Sequence, residues 1–181
     1  MRINAVVLAA CAIMAMTGAA QAGWDSHAPR DACLVGTWKM TSGGAEEWMR
    51  QNIHKAHVTA MSAQNNTITL KADGTFMTGH ATAKANVEAN DGTMHGTGTM
   101  QGQASGHWSA GRGTLKLFTE AMNAQGKVTI TGPDGRPITV NTHPQGPQDS
   151  AMTYSCRGAA FTTTQPMPRG TAMTTTYTKL P

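Results

Sequence analysis

The strongest constraint on the fold is an alternation of apolar and polar side chains with a period of two residues. From Met94 to Ala110 the even positions hold only Met, Gly, Ala and Trp, whereas the odd positions hold only His, Thr, Gln and Ser. Because successive side chains of a β-strand point to opposite faces, this pattern predicts a strand with its even residues directed inward. One straight strand of this length would span about 60 Å, so we expect a sharp bend or a fold-back near Gln101 to Gln103.

Changes between odd and even inward positions locate the turns between strands. Apolar residues such as Leu70 occupy even positions before Asp73-Gly74, whereas odd positions are mostly apolar or small from Thr75 to Ala89. A two-residue hairpin turn reverses the parity in this way, so Asp73-Gly74 predicts that Leu70 lies opposite Met77. Asp91-Gly92 should return the inward face to even positions by the same rule.

Two further turn signals extend the pattern toward the C-terminus. Arg112-Gly113 predicts another two-residue turn with a change of parity, and Pro133-Asp134-Gly135 fits a three-residue loop that keeps the parity. The cross-strand pairs expected from these turns are Ala110 with Leu115, Trp108 with Leu117, Ile130 with Ile138, and Val128 with Val140.

The fold class follows from the number of strands and from the composition. The pattern gives roughly nine to eleven strands, mostly joined as consecutive hairpins, and the last of them runs from Thr171 to Leu180. Only 13% of the residues are charged and 27 are Thr, a composition that disfavours helical bundles. We therefore predict an all-β protein with an antiparallel up-and-down barrel, and a sandwich is the alternative.

One segment breaks the strand pattern and predicts a short helix after the first strand. Ser42 can cap its N-terminus, Glu46 and Glu47 lie in its first turns, and basic residues lie near its end, an arrangement that complements the helix dipole. The buried stripe of this helix would consist of Ala45, Trp48, Met49 and Ile53.

Residues 1–22 have the features of a signal peptide. A basic start is followed by the apolar run Ala5 to Met16, and Ala20-Gln21-Ala22 has the small-x-small pattern that signal peptidase cuts. The run is too short to span a bilayer, so we expect no integral membrane protein and a single domain over 23–181, in the periplasm or secreted. Leu8-Ala9-Ala10-Cys11 resembles a lipobox, which leaves lipid attachment at Cys11 as the alternative.

Export to an oxidising compartment gives the cysteines a role. Removal of the signal peptide leaves Cys33 and Cys156 as the only cysteines of the chain. We predict that they form a disulfide between the start of the domain and a segment near its end. Two buried thiols or a pair of metal ligands are the alternatives.

Short motifs in the strands resemble those of bacterial lipocalin-like proteins. Gly36-Thr37-Trp38 resembles the Gly-x-Trp signature of the lipocalins, and the segments Asp73 to Phe76 and Gly106 to Trp108 are similar to their recurrent Asp-Gly-x-Phe and Gly-x-Trp motifs. The resemblance implies a calycin-type β-barrel and suggests ligand binding. The chain departs from the family in having no Thr-Asp-Tyr motif and no clear arginine to pack on the tryptophan. Its inward parity makes Trp38 a predicted structural anchor at the barrel base.

Small residues on two adjacent predicted strands leave room inside the barrel. An eight-stranded barrel is wide enough either to be filled by side chains or to hold one small ligand. If a cavity exists, the candidate ligand-binding residues are Met77, Ala83, Met94, Gly98, Met100, Trp108, Leu115 and Leu117. In the alternative, the glycines let the strands coil tightly while the methionines and the tryptophan fill the interior.

Methionine and histidine together raise the possibility of a copper site, because thioether and imidazole ligands suit that metal. The candidate pairs are Met77 with His80, Met94 with His95, and His54 with His57. Strand parity places the members of the first two pairs on opposite faces, and His57 lies where the predicted helix ends. We therefore expect no metal and no other cofactor.

The sequence contains no pattern that predicts catalysis or nucleic-acid binding. Gly96-Thr97-Gly98 lies inside an alternating strand, whereas a phosphate loop joins a strand to a helix. No nucleophile elbow, zinc signature or catalytic carboxylate pair occurs. The net charge of +4 arises from scattered Lys and Arg residues that form no basic patch interleaved with aromatic residues. We expect a protein that is not an enzyme and does not bind nucleic acid.

These observations favour an exported, lipocalin-like protein that binds a small, mainly apolar molecule in a barrel cavity. The alternative is a structural or interaction protein of the cell envelope with a filled barrel. A third hypothesis is a binding surface for polysaccharide or another envelope component, formed by outward threonines such as Thr97 and Thr99. Threonine is also a good strand former on a solvated face, which explains the same pattern without a binding role.

Overall fold

A computed structural model describes residues 27–43, 56–89, 92–142, 149–167 and 172–181. These residues form a 3-10 turn, Ala32–Leu34, and eleven β-strands. The strands are β1 Gly36–Gly43, β2 Ala56–Gln64, β3 Thr67–Leu70, β4 Thr75–Thr78, β5 Ala81–Ala89, β6 Met94–Gly111, β7 Thr114–Thr131, β8 Pro137–Thr142, β9 Asp149–Arg157, β10 Ala160–Pro166 and β11 Ala172–Lys179.

Eight of the strands close into an antiparallel barrel. Around the ring their order is β6, β4, β3, β1, β11, β10, β9 and β7, and pairing of β6 with β7 completes the circle. Every neighbouring pair in this ring is antiparallel. The predicted all-β class and the barrel architecture are therefore confirmed.

The two longest strands continue beyond the ring. β6 and β7 each have 18 residues. β5 pairs with residues 94–102 of β6, β2 pairs with β5, and β8 pairs with residues 126–131 of β7. We call the part enclosed by the ring the base, and the five-stranded sheet formed by β2, β5, residues 94–102, residues 126–131 and β8 the extension.

Of the two alternatives expected for β6 near Gln101 to Gln103, a sharp bend or a fold-back, the fold-back is wrong. β6 runs without a break because β7 is paired with it from His95 to Gly111, while β5 and β4 hold successive parts of its other edge. The register shifts once, between Ser105 and Gly106, where β7 contains one extra residue, Glu120. Such a bulge bends the strand that carries the extra residue and increases the local twist.

The hydrophobic core fills the base. Its fully buried large side chains are Trp38, Trp108, Phe161, Leu34, Leu70 and Leu115. The indole Nε1 of Trp38 donates to the carbonyl oxygen of Leu34 at 2.7 Å, and its ring meets Phe161 edge-on at a centroid distance of 4.8 Å. The predicted burial of Trp38 is confirmed. The Nζ of Lys179 lies 5.2 Å from the centre of the Trp38 ring.

The predicted disulfide is confirmed and ties the start of the described chain to β9. Cys33 in the 3-10 turn is bonded to Cys156, with a Cα–Cα distance of 6.2 Å. Asp31 supports this junction through both carboxylate oxygens. Its Oδ1 accepts the backbone N–H of Cys33 at 2.9 Å, and its Oδ2 accepts the hydroxyl of Tyr154 at 2.8 Å.

Three of the predicted turn registers are confirmed. Arg112 and Gly113 both have positive φ, as a two-residue type I′ turn requires, and the strands on either side pair as expected. The ladder below Asp91-Gly92 starts with Ala89 opposite Met94, and the Pro133-Asp134-Gly135 loop keeps its parity. The confirmed pairs are Ala110 with Leu115, Trp108 with Leu117, Ile130 with Ile138, and Val128 with Val140.

The turn at Asp73-Gly74 differs from its prediction by one residue. Leu70 lies opposite Phe76, so the loop is one residue longer than a two-residue turn and the inward parity does not change. Gly74 adopts a φ of 87°, and Asp73 Oδ1 accepts both the backbone N–H and the hydroxyl of Thr75. As a result Phe76 is buried and Met77 points outward, which corrects the inward position predicted for Met77.

The parity changes higher up, between β4 and β5. Gly79 interrupts the strand beside Asn65, which has a φ of 55° and separates β2 from β3. The backbone N–H of Gly79 still donates to the carbonyl oxygen of Thr67 at 2.9 Å. Both strand paths therefore bend at one level, and the odd residues of β5 turn inward.

The predicted helix and signal peptide are mostly outside the described residues. Ser42 and Gly43 belong to β1, and the rest of the predicted helix, within residues 44–55, and residues 1–26 lie outside the described residues. The helical element observed near β1 is the 3-10 turn, which precedes that strand. Within the described ranges, no helix is long and apolar enough to cross a membrane.

Candidate ligand-binding cavity

A partly open cavity of about 1040 Å³ lies between the extension and strands β1 and β11. It sits directly above the base, where Ile68, Leu117 and Tyr177 contribute to its lining. Residues of β1, β2, β5, β6, β7 and β11 form most of the rest of the wall. In the described part of the chain, the barrel therefore has a packed base and an unfilled upper part.

The cavity exists because the inward side chains of β5 and β6 are small. Ala85 pairs with Gly98, and Ala83 and Gly96 lie on the same inner face. We call these four residues the small-residue floor. Met94 and Met100 border it along β6, since they occupy the next inward positions on either side of the two glycines.

β6 contains two kinds of glycine. A Cβ on Gly98 would come no closer than 4.0 Å to any neighbouring atom, and one on Gly96 no closer than 3.7 Å, both ordinary contact distances. A Cβ on Gly102 or Gly106 would instead collide with β7, at the backbone of Ala124 and at the carbonyl oxygen of Phe118. The lower glycines are needed for close strand contact, whereas the upper two have room for a Cβ at ordinary contact distances.

Six methionines contribute large, flexible side chains to the lining of the cavity. They come from five strands, which are β1, β2, β6, β7 and β11. The methionines of the lining are Met40, Met61, Met94, Met100, Met122 and Met173. Methionine is flexible and polarizable, and it is common on surfaces that adapt to different apolar partners.

Tyr177 lies at the lower end of the cavity and supplies an aromatic ring and a hydroxyl group there. One face of Tyr177 stacks on Phe161, with a centroid distance of 4.4 Å and an angle of 6° between the rings. Its hydroxyl is hydrogen-bonded with Thr163, and burial raises the pKa of Tyr177 above its usual value. The phenol is neutral at physiological pH, as it is in an ordinary tyrosine, and the raised pKa extends this neutral range.

The lining carries little charge. Its two lysines, Lys39 and Lys84, are solvent-exposed, and no Asp or Glu occurs among the described lining residues. His95 lies on the outer face of β6 at the upper rim, where it is exposed and its Nδ1 lies 3.6 Å from a carboxylate oxygen of Glu88. Because an apolar interior gives no compensation to a buried unpaired charge, this lining suits a ligand that is mainly apolar.

The structure separates the eight predicted ligand-binding residues into three groups. Trp108 and Leu115 are fully buried in the core of the base, beneath the cavity. Met77 is 50% exposed on the outer face and lies outside the cavity. The remaining five line the cavity, and they are Ala83, Met94, Gly98, Met100 and Leu117.

Several lining residues could not be found by extending the parity from neighbouring strands. The bulge at Glu120 moves the inward face of β7 from odd positions at Leu117 to even positions at Met122. The irregular backbone at Asn65 does the same for Met61 on β2. On β11 the sequence did contain a signal for the lining residues, because Met173, Thr175 and Tyr177 occupy every second position of the strand.

The described side chains bring together no metal site of the usual kind. In ranges 27–43, 56–89, 92–142, 149–167 and 172–181, no three His, Cys, Asp or Glu residues lie close enough to hold a metal ion. Met94 and His95 are on opposite faces of β6, as expected for adjacent strand residues. His54 and the side chain of His57 lie outside the described parts of the chain.

The outward threonines contact each other across neighbouring strands. Their hydroxyl oxygens lie 3.1 Å apart for Thr37 and Thr69, and 3.0 Å apart for Thr129 and Thr139. Such cross-strand pairs stabilise a sheet by themselves, so they account for these threonines without a bound partner.

Comparison of the chain with protein-family models, with curated proteins and with solved structures finds no match. The argument for function therefore rests on the cavity and on the chemistry of its lining.

Proposed function

We propose that this protein is an exported, lipocalin-like binding protein that holds a small, mainly apolar molecule in the barrel. The observation that carries the proposal is the cavity of about 1040 Å³ above the packed base. Sites for small ligands are typically concave, mostly apolar and about 300–1,000 Å³ in volume. Its methionines and small residues match that description.

The two upper glycines of β6 favour this function over a filled barrel. If the glycines served only to let the strands approach, a Cβ on Gly96 or Gly98 would meet a neighbouring atom at short range. Both positions have room instead, whereas the lower glycines do not. Protein interiors are normally close-packed, so an unfilled region of this size is best explained by an occupant.

The base supports the lipocalin-like assignment. Eight antiparallel strands close around Trp38, which lies at the start of the first strand, and Lys179 of the last strand packs on its ring. This end of the barrel is sealed by the core, so a ligand enters from the extension. The disulfide between Cys33 and Cys156 supports export, because such bonds persist in oxidising compartments.

The proposed function is binding without catalysis. Nucleophilic or acid–base catalysis needs reacting groups held within hydrogen-bond reach of each other and of the substrate. The polar groups at the lower end, Tyr177 and Thr175, are hydroxyls, and no carboxylate occurs among the described lining residues to activate them. These groups are suited to orienting a ligand by hydrogen bonds.

The proposal is tested by native mass spectrometry of the protein purified from its own host, combined with Nile red titration of the delipidated protein. We expect a co-purifying apolar molecule, saturable dye binding, and loss of both in Ala83→Phe. The matched control is Ala121→Phe, because Ala121 is exposed on the outer face of β7. Absence of any bound molecule together with absence of dye binding to the parent protein would refute the proposal.

A second candidate function, interaction with another envelope protein, is favoured by β8. Ile138 is 56% and Val140 42% exposed, although both share the inner face of the extension with Ile130 and Val128. β8 pairs with β7 alone among the described strands, and an exposed apolar edge strand is a typical site of strand addition. Cross-linking of parent protein and Ile138→Lys in host envelope extracts tests this, since loss of a specific adduct is expected only if β8 is a contact surface.

A further inference from the structure

Positive charge is concentrated at the end of the base that is remote from the extension, which we call the closed end. Of the ten Lys and Arg residues that the structure describes, six lie on turns or strand ends there, but only two of the six described Asp and Glu residues do. The other described charges, four positive and four negative, balance each other. The six cations, which we call the basic cluster, are Arg30, Lys71, Arg112, Lys116, Arg157 and Lys179.

The segment before the 3-10 turn brings the first of these cations to the closed end. The backbone N–H of Ala110, near the end of β6, donates to the carbonyl oxygen of Pro29 at 2.8 Å. The guanidinium of Arg30 then lies against Gly74, in the turn between β3 and β4, so that a Cβ at Gly74 would collide with it. Arg30 and Lys71, which begins that turn, are therefore neighbours although they are far apart in the sequence.

Hydrogen bonds between turns assemble the other side of the closed end. The backbone N–H of Tyr154 on β9 donates to the carbonyl oxygen of Gly113 in the β6–β7 turn at 2.9 Å. The backbone N–H of Lys179, at the end of β11, donates to the carbonyl oxygen of Ala159 in the β9–β10 turn at 2.8 Å. Cations that are scattered along the sequence are thus collected at one end because the turns that carry them share that end.

The carboxylates at the closed end are fewer and have partners within the fold. Asp31 is hydrogen-bonded at the disulfide junction through both oxygens. Hydrogen bonds from Thr75, together with two cations of the basic cluster, hold the pKa of Asp73 below its usual value. The six cations still outnumber these two carboxylates and the terminal carboxylate of Pro181 by two to one.

The cations surround the closed end instead of lining one side of it. They come from five segments, which are residues 27–31, the β3–β4 turn, the β6–β7 turn with the start of β7, the end of β9 and the end of β11. A linear polyanion would follow a row of cations, whereas a flat anionic surface can meet all five segments together. Pro29 and Leu180 are exposed among them, and Leu180 is 37% exposed. Basic residues with apolar neighbours suit a lipid surface, where anionic head groups cover acyl chains.

We propose that the basic cluster docks the closed end of the barrel on a bilayer that contains anionic lipids. The contact is peripheral, made by Lys and Arg side chains with the phosphate groups of the lipids. It is independent of the proposed function, because no member of the basic cluster lines the cavity. Docking in this orientation leaves the open end of the extension directed away from the bilayer.

Co-sedimentation of the mature protein with sucrose-loaded vesicles tests the proposal. The vesicles consist of phosphatidylcholine alone or of an equimolar mixture of phosphatidylcholine and phosphatidylglycerol. We expect strong binding only to the mixed vesicles at 0.1 M salt, and loss of that binding at 1 M salt, where the Debye length falls from about 10 Å to about 3 Å. Equal binding to both kinds of vesicle, or binding that survives 1 M salt, would overturn the proposal.

Two double variants with the same net charge locate the contact. Arg112→Asn with Arg157→Gln removes two cations of the basic cluster, and Asn tolerates the φ of 53° at position 112. Lys127→Gln with Arg136→Gln removes two exposed cations near the opposite end. Each Lys or Arg near an anionic bilayer contributes about fivefold to binding, so the first variant should bind about 25-fold more weakly and the second at most about twofold. Equal losses would show that net charge alone attracts the protein.

Dextran sulfate, a soluble linear polyanion, separates a lipid surface from a polysaccharide partner. We expect the parent protein to bind it more weakly than the mixed vesicles at the same concentration of anionic charge. Tighter binding to dextran sulfate would assign the basic cluster to a polysaccharide and overturn the proposal. Circular dichroism melts of both double variants exclude unfolding as a cause of lost binding, and Nile red titration of the same proteins reports the cavity separately.

Discussion

The base and the extension share strands β6 and β7 but differ in what the inner faces of these strands hold. In the base, Trp108 lies opposite Leu117 and Ala110 lies opposite Leu115, and the side chains fill the interior. In the extension, the same hydrogen-bond ladder continues with Gly98 opposite Val128, and the space in front of it is unfilled. Continuous backbone pairing therefore coexists with two different kinds of interior.

The comparison shows that glycine has opposite roles in the two regions. Gly106 is needed because β7 approaches too closely for a Cβ at its bulge, so the glycine contributes to packing. A Cβ on Gly98 would come no closer than 4.0 Å to any neighbouring atom, so the missing side chain contributes to the volume of the cavity. Glycine in a strand has an entropic cost of roughly 0.5–1 kcal/mol relative to Ala, and of these two glycines only Gly106 has a packing reason for that cost.

The largest expected effect is on the base. Trp38→Ala removes a fully buried ring, its hydrogen bond to the Leu34 carbonyl and its contact with Phe161. We expect the free energy of unfolding to fall by about 3–5 kcal/mol. Urea unfolding followed by circular dichroism measures this loss, and a value below about 1 kcal/mol would show that the ring is not part of a packed core.

The disulfide gives the next largest effect. Replacing Cys33 and Cys156 together by Ala opens a link between residues 123 positions apart, so the free energy of unfolding should fall by about 2–5 kcal/mol. The urea midpoint of the double variant measures this change. In the parent protein, thiol titration under denaturing, non-reducing conditions should find neither cysteine reactive, and two reactive thiols would contradict the bond.

A pair of glycine substitutions compares the two regions directly. Gly106→Ala forces a methyl group against the Phe118 carbonyl and should destabilise the protein by about 1–3 kcal/mol. Gly98→Ala should leave the stability unchanged or raise it by up to about 1 kcal/mol, because the unfolded chain loses freedom and no contact is strained. Equal losses in the two variants would mean that the extension is packed like the base.

The smallest expected effect concerns pH and the junction beside the disulfide. Burial, together with the hydrogen bond to Asp31, raises the pKa of Tyr154 to about 12. Because the folded pKa lies above the usual value near 10, the contribution of Tyr154 to stability is complete below pH 10 and is lost as the pH rises from 10 to 12. Denaturation curves across this range should show a steeper loss for the parent protein than for Tyr154→Phe. Parallel curves for the two proteins would show that Tyr154 does not contribute to the loss of stability at high pH.

The features that depend on local turn chemistry and on alternation were predictable from the sequence in both regions. Arg112-Gly113 and the inward parity of Trp38 depend on local turn chemistry and on alternation, both of which can be read along the chain. The partnership of Cys33 with Cys156 followed from there being two cysteines in the mature chain. These features require no knowledge of which strands are neighbours.

The position of Met77 and the lining role of Met122 were not accessible in the same way. Whether Asp73-Gly74 forms a turn of two or three residues depends on the backbone of Gly74 and on the hydrogen bonds from Thr75 to Asp73. The bulge at Glu120 depends on how β7 meets β6 across the sheet. A single added residue reverses every later inward position, so such local irregularities change the lining of the cavity while leaving the strand count intact.

The most direct test of the difference between the two regions is Gly98→Leu, followed by a thermal melt and a Nile red titration. If the extension encloses an empty cavity, the leucine fills it, so the melting temperature should stay within a few degrees of that of the parent while dye binding is lost. Ala121→Leu should retain both properties. Clear destabilisation of Gly98→Leu, together with no dye binding to the parent protein, would show that the extension is as packed as the base.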